Sequence, residues 1–303
     1  MTGAMNSETR PTVRLRPKAE SRAIQFGFPW VYSDELVTDR RTQALAPGAL
    51  AVLENADRVA VGLVSVNTRS RIIARMIDRD PEAVVDQAWF EARLQRALAL
   101  RARLFSAPFY RLVHAEADGL PGIVIDRFGD LAVVQPNAAW AENHLPQLVA
   151  ALAQVTGVKT IVKNGSGRTR GLEGLPEETL VVYGAVSGPV MVEMNGARYM
   201  ADVLGGQKTG LFFDQRPNHA FAAQLAQGAR VLDVFCHVGG FGLAALAGGA
   251  QSVLAVDSSA PALVLAGQGA EASGFAAQFA TRQGDAFAVM EALVAEGATF
   301  DVV

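Results

Sequence analysis

The 303-residue chain is 50% hydrophobic and 19% charged, with a formal net charge of −3; this is enough apolar material for two or three buried cores and excludes a disordered chain. No apolar run reaches the ~18 residues of a membrane-spanning helix, and the N-terminal "MTGAMNSETRPTVRLRPK" has no apolar stretch of the signal-peptide kind. A single cysteine, Cys236, excludes an internal disulfide framework and a cysteine-rich zinc site, so the expected setting is soluble, reducing and cytoplasmic, without membrane or metal.

From Thr12 to Arg79 the sequence alternates in short β-rich runs, "ALAVLENADRVAVGLVSVN" and "RIIARMID", punctuated by Pro47-Gly48 and Asn55-Ala56-Asp57. The pattern predicts a small barrel or sandwich. Residues 1–80 carry 12 Lys/Arg against 9 Asp/Glu, whereas residues 187–303 carry 5 against 10. A basic front end on an acidic chain suits contact with a polyanion. Arg14, Lys18, Arg22, Arg69 and Arg71 are the candidate contacts, with Phe28, Trp30 and Tyr32 beside the first group; Trp30 itself reads as core filling.

Asp80-Pro81 predicts a helix start, with a capping carboxylate and proline in the first turn. Phe90, Leu94, Leu98, Arg101 and Phe105 then recur at helical spacing. "YRLVHAEADGLPGIVIDRFGDLAVVQ" reads as strands around a Gly-Leu-Pro-Gly turn and a Phe-Gly-Asp turn. A helix near Ala138–Val155, a strand at Lys159–Lys163, the glycine-rich loop "NGSGRTRGLEGLPEE" and the strand "TLVVYG" complete an α+β unit over residues 80–186.

The last segment, 187–303, opens on "VMVEMNGARYMADV", whose Asn195-Gly196 is a strong hairpin signal. A β-α-β-α-β series follows: a strand at Arg230–Phe235, a helix from Gly240, a strand at Ser252–Asp257, a helix near Ala260–Ser273, a strand near Gln278–Gln283, a helix near Ala286–Glu296, and a further strand from Phe300. Strands alternating with helices predict a parallel, doubly wound sheet, and such sheets bind ligands outside the carboxyl ends of their strands. Asp233, Asp257 and Asp285 fall at or near those ends. An acid closing the second strand suits a ribose diol in nicotinamide, flavin and S-adenosylmethionine (SAM) sites alike. Gly240-Phe241-Gly242-x-x-Ala245 matches the dinucleotide pattern, but it begins five residues after the strand and Asp233 stands at its mouth. A pyrophosphate calls for N–H groups there, whereas a carboxylate suits a cationic group, so SAM is favoured over NAD. "GGQKTG" does not satisfy the P-loop pattern, because Asp202 and Gln207 occupy its glycine positions.

"GQKTGLFFDQR", "VLDVFCHVGGFG", "VLAVDSS" and "GDAF" resemble the class I SAM-dependent methyltransferases of the large-subunit rRNA 5-methylcytosine type. "RLVHAEADGLPGIVIDRFGD" is similar to that family's central-domain motif, and residues 1–79 resemble its RNA-binding PUA domain. The resemblance runs in order over nearly the whole chain. It implies a multidomain α/β protein: a PUA-like β-barrel (1–79), a central α+β domain (80–186) and a Rossmann-like SAM-methyltransferase sheet (187–303), acting on ribosomal RNA. By position it implies that Lys208, Thr209, Phe213, Asp214 and Arg216 lie in a segment wrapping SAM. Asp233, Phe235 and Gly239 would line the methionine end, Asp257 and Ser258 the ribose, and Asp285 with Ala286 the adenine. Phe213 and Phe235 read equally well as core packing, and Asp214 with Arg216 as a structural ion pair.

In that family a cysteine thiolate adds to cytosine carbon 6 and so activates carbon 5 toward the methyl group. The target base must be unstacked or single-stranded. The family's nucleophile follows the fourth strand of the sheet, which places it after Val303, and the sequence reads as a fragment of the sheet. Cys236, next to His237 in one turn and without an orienting third group, reads as a packing residue. An RNA-binding protein with a non-catalytic SAM fold and an NAD-dependent enzyme stay open as other readings, and so does the oligomeric state, a homodimer included.

Overall fold

The computed structural model describes residues 10–17, 19, 21–206 and 209–303. Lys18 and Lys208, named above as RNA-binding and cofactor-binding candidates, lie outside the described residues. The chain forms two compact units, one of residues up to Ala102 with Leu112–Ile125 and Val134–Tyr183, the other of Arg103–Arg111, Asp126–Val133 and Gly184–Val303. No helix among the described residues is long and apolar enough to cross a membrane.

The first elements are β1 (Thr12–Arg14), α1 (Ser21–Gln25), β2 (Trp30–Tyr32), α2 (Arg40–Gln43), β3 (Ala49–Glu54), β4 (Ala60–Val66) and β5 (Ile72–Asp78). The strands form one sheet in the order β1-β3-β4-β5-β2. Alternate residues of these short strands, among them Val13, Val31, Leu53, Val64 and Ile73, share a single apolar core, as period-2 patterning requires. Trp30 is not core filling: it is only part-buried, and its indole N–H donates to Glu116 Oε1 at 2.8 Å. Tryptophan's polar edge needs a partner, which places it at a rim more readily than in a dry interior.

Then come α3 (Gln87–Leu104), β6 (Phe109–His114), β7 (Ile123–Phe128), β8 (Leu131–Pro136), α4 (Ala139–Asn143), α5 (Leu145–Thr156), β9 (Thr160–Asn164), α6 (Arg168–Glu173) and β10 (Thr179–Tyr183). The strands are ordered β10-β9-β8-β7-β6. Three local expectations change. The helix expected from Asp80 begins at Gln87; Asp80 caps only a turn, accepting from Glu82 N–H, while Asp86 accepts from Trp89 N–H at 2.9 Å. Of two capping carboxylates six residues apart, the one that puts Phe90, Leu94 and Ala97 on the buried face prevails. The helix expected over 138–155 is broken at His144, because Pro146 lacks the N–H that would continue it. The glycine-rich loop contains α6, held by the fully buried Arg170, which donates to the carbonyls of Pro136 and Pro176 and pairs with Glu142 at 3.0 Å.

The remaining elements are β11 (Val190–Met194), β12 (Ala197–Ala201), α7 (Arg216–Leu225), β13 (Arg230–Val234), α8 (Gly240–Ala247), β14 (Ser252–Asp257), α9 (Ala260–Ser273), β15 (Phe279–Gln283) and α10 (Ala286–Ala295). β11 and β12 form the hairpin, with Asn195 and Gly196 at φ 52° and 77°. β13, β14 and β15 are parallel and adjacent in that order. On the other edge of β13, Val231 bridges Val302 in parallel. The strand order therefore reverses at β13, and a reversal of this kind opens a crevice at the carboxyl end of the strand.

Candidate cofactor site

Between β13 and α8 the backbone enters the left-handed region three times, at Phe235 (φ 61°), His237 (φ 51°) and Gly239 (φ 80°). For a residue as bulky as phenylalanine that is strained backbone, and it persists only where neighbours hold it. Asp257, at the end of β14, supplies the hold. One of its carboxylate oxygens accepts from His237 N–H at 2.8 Å and the other from Ser259 N–H at 2.9 Å. Cys236 N–H adds a bond to Val256 O at 3.0 Å. Beneath the turn, Asp233 accepts from Gly242 N–H at 2.8 Å and so satisfies one free donor at the start of α8. Gly242 permits that approach: a Cβ there would lie 2.8 Å from Val253 Cγ1 and 3.2 Å from the Asp233 carboxylate. Burial pushes the Asp233 carboxyl up to about 6, with the Gly242 N–H opposing and the charge of Asp257 adding to the shift.

The turn forms one wall of a cavity of about 280 Å³. Phe235 to Val238, Gly240 and Phe241 line that wall; Leu211, Phe212, Gln215 and His219 line the other. The imidazole of His219 meets the Phe241 ring edge-on at 4.5 Å and that of His237 meets Phe212 at 5.2 Å. Burial pulls His219 down to about 4, against the charge of Asp214, and lowers His237 as well. Both rings are therefore neutral at pH 7, and buried His219 Nδ1 has no hydrogen-bond partner among the described residues. Nor is Cys236 a ready nucleophile: burial, together with the charges of Asp233 and Asp257, pushes its thiol well above the usual range.

The chemistry of the site is that of an acceptor-rich mouth. Asp257 and Asp285 stand at the carboxyl ends of β14 and β15, while Asp233, in β13, is buried beneath α8. Asp285 is spent on the N–H groups of Phe287 and Ala288 at the start of α10, each at 3.1 Å. Phe235 and Phe287, 68% and 66% exposed, bring their rings to 6.4 Å and offer faces to a flat heterocycle. Carboxylates repel a pyrophosphate and accept from a ribose diol or an amino group, so the residues fit an adenosyl ligand with a cationic tail.

Residues 167–274 match the family described as S-adenosylmethionine-dependent methyltransferase, and residues 13–79 match the PUA-like domain. The ribosomal RNA large subunit methyltransferase I of Shewanella denitrificans is 34% identical over 296 residues, covering 96% of this chain and 74% of its own. That of Aeromonas hydrophila is 35% identical over 294 residues, covering 94% and 73%. The chain belongs to the ribosomal RNA large subunit methyltransferase I family. The ribosomal RNA large subunit methyltransferase of Deinococcus radiodurans is 36% identical over 313 residues, covering 98% and 75%. The fold is shared with a solved Streptococcus mutans protein described as a SAM-dependent methyltransferase (TM-score 0.78, 20% identity, 96% and 76% covered). It is shared equally with the solved methyltransferase SMU.776 complexed with S-adenosylhomocysteine (SAH) (TM-score 0.79, 20% identity, 96% and 75% covered). The cofactor of this methyltransferase domain is SAM.

Within this chain, the sequence-predicted residues divide by where they point. Phe235 and Gly239 belong to the turn and Asp257 pins it from the end of β14; Ser258 is exposed beside Asp257 and its carbonyl accepts from Gln283 at 3.2 Å. Ala286 is buried at the start of α10. Asp233 faces the underside of α8 and lines a second, apolar cavity with Val231, Ala245 and Val302. Phe213 is buried against Phe128, Arg216 lies over Phe105, and the Thr209 hydroxyl donates to Asp126. Asp214 is exposed. Sequence reasoning missed Phe212, Gln215 and His219 as cavity residues, although their spacing of three and four is that of one helical face. Among the arginines, Arg14 pairs with Glu54 at 3.6 Å and Arg22 lies 5.5 Å from the Phe26 ring centroid. Arg69 and Arg71 line a groove of about 770 Å³ with Tyr32, Arg75 and Leu172, in which Arg75 is committed to Glu173 at 2.9 Å.

Proposed function

We propose that this protein methylates carbon 5 of a cytosine in large-subunit ribosomal RNA. The observation that carries the reading is the match over 96% of the chain to ribosomal RNA large subunit methyltransferase I, on a fold whose strand-order reversal carries an acceptor-rich turn. The likeness of "GQKTGLFFDQR", "VLDVFCHVGGFG" and "GDAF" to the 5-methylcytosine type favours that atom of the base. The reading keeps residues 1–79 as the RNA-binding module, 80–186 as the central domain and 187–303 as the methyltransferase domain.

When bound, SAM supplies an electrophilic methyl group on a sulfonium. Asp257, already fixed by two backbone N–H groups, has lone pairs left for the ribose hydroxyls. Phe235 and Phe287 cover the heterocycle, with Asp285 and Ala286 at its edge. The neutral rings of His219 and His237 line the cavity without opposing a cationic sulfonium, which a protonated imidazole would repel. Arg14, Lys18, Arg22, Arg69 and Arg71 provide cations for the phosphates of the RNA.

Phosphate contacts make binding fall with salt, each contributing roughly 0.7–0.9 to the slope of log K against log salt. Replacing Arg69 and Arg71 together by alanine is expected to weaken binding of large-subunit rRNA fragments and to reduce that slope by about 1.5, leaving SAH affinity unchanged. The measurement is a filter-binding titration at several salt concentrations, with Arg14, Lys18 and Arg22 replaced together as a second variant. Parent-like RNA affinity in both variants would place the RNA elsewhere.

A further inference from the structure

The segment that lines the outer wall of the cavity is fastened from behind by residues the sequence assigns to the central motif. Leu211, Phe212, Gln215 and His219 line the cavity, while Thr209, Phe213 and Arg216 point the other way. Arg216 donates to Phe109 O at 2.9 Å and lies 4.5 Å over the Phe105 ring. Phe213 packs on Phe128, with ring centroids 5.1 Å apart. Thr209, 1% exposed, donates its hydroxyl to Asp126 Oδ2 at 2.8 Å.

Asp126 is fully buried, and Arg111 holds its other oxygen at 2.9 Å. Burial works against the Arg111 charge, but the Asp126 hydrogen bond and charge, with that of Asp214, more than offset it. Arg111 and Asp126 both come from "RLVHAEADGLPGIVIDRFGD", yet Arg103–Arg111 and Asp126–Val133 belong to the same compact unit as Gly184–Val303. A buried carboxylate shared between a guanidinium and a hydroxyl is a rigid fixture, because leaving any member unpaired costs the desolvation of a charge. Gly206 N–H bonds Asp202 O at 3.0 Å, and a Cβ on Gly210 would lie 2.6 Å from that same oxygen.

We infer that Asp126, oriented by Arg111, is a positioning residue for SAM: through the Thr209 hydroxyl it sets the wall of the cofactor cavity formed by residues 211–219. The inference rests on the reading of the Phe235–Phe241 turn as the cofactor site. Thr209 then acts through Asp126 and not by touching the cofactor, since its hydroxyl lies 2.8 Å from the carboxylate and 3.3 Å from Leu211 O, the first residue of the wall.

The test is SAH affinity by calorimetry on the protein and on Thr209→Val, Thr209→Ser, Asp126→Asn, the Thr209→Val/Asp126→Asn double variant and Asp257→Ala, with melting temperature and RNA affinity measured in parallel. Thr209→Val keeps the shape and removes only the hydroxyl. It is expected to weaken SAH binding about tenfold or more, the size of a hydrogen bond to a charged group, with RNA affinity close to the parent's and a melting temperature lowered by a few degrees but a cooperative fold. Thr209→Ser should bind within about twofold of the parent, since it keeps the donor. The double variant should bind no worse than the weaker single one, as for two residues acting as a unit. Should Asp126→Asn fail to fold, the valine and serine variants still decide. Parent-like SAH affinity in Thr209→Val, or losses that multiply in the double variant, would overturn the inference. If Asp257→Ala is weakened while Thr209→Val is not, the anchor alone falls; if neither is weakened, the cofactor-site reading falls with it.

Discussion

Asp257→Ala is expected to weaken SAH binding by ~1.5–3 kcal/mol, roughly ten- to 150-fold, as for hydrogen bonds to a charged acceptor. Two losses combine. The ribose diol loses its acceptor, and the turn loses the carboxylate that pins His237 N–H at 2.8 Å. Without that pin, the left-handed conformations of Phe235 and His237 are freer to relax, and a wall of the cavity loosens. Asp257→Asn separates the two, because its amide oxygen still accepts from one backbone N–H while the charge is gone; its affinity should fall between those of the parent and the alanine variant. Calorimetric titration with SAH measures all three, and parent-like affinity in Asp257→Ala would remove Asp257 from the site.

The second large effect is on stability. Asp233 has a folded-state carboxyl at about 6 against an unfolded value near 3.9. Below about pH 4 it is protonated in both states and costs nothing. Between there and about pH 6 the unfolded chain gives up its proton while the folded one keeps it, so folding stability falls as pH rises. Above about pH 7 the whole difference, about 3 kcal/mol for two pH units, is lost. Asp233→Asn keeps an acceptor for Gly242 N–H and has no titration, so relative to the parent it should gain about that much between pH 4 and 7.5. Urea midpoints of parent and variant across this range check the sign. A difference independent of pH would mean that Asp233 titrates alike in both states. His219, held down at about 4, contributes the opposite slope over the same range in both proteins and cancels in the comparison.

The parallel sheet was legible because its signals are local and agree with one another. Ser252–Asp257 and Ala260–Ser273 have the predicted bounds, and Asn195-Gly196 makes the hairpin that its dihedral needs dictate. What stayed hidden depended on partners distant in sequence. Arg170 folds a glycine-rich stretch into α6 by reaching Pro136 and Glu142, and nothing within "NGSGRTRG" announces either partner. Asp80-Pro81 carries the stronger cap signal in the text, yet α3 starts after Asp86, where its buried face begins. At the candidate site, the positions of Asp257 at a strand end and Gly239 at a helix start were readable. Phe212, Gln215 and His219 were not, because their segment was read for contacts to the cofactor, while its fastening to Phe128, Asp126 and Phe109 decides which side faces the cavity.

Transfer of tritiated methyl groups from SAM to large-subunit rRNA lacking the modification, followed by digestion to nucleosides, tests the central claim most directly. The assay is run on a chain spanning the full length of the relatives, on its Asp257→Ala variant, and on Cys236→Ser. Label is expected in 5-methylcytidine alone, strongly reduced in Asp257→Ala and retained in Cys236→Ser, whose buried thiol takes no part. Label in any other nucleoside, or none at all from a protein that still binds SAH, would contradict the account.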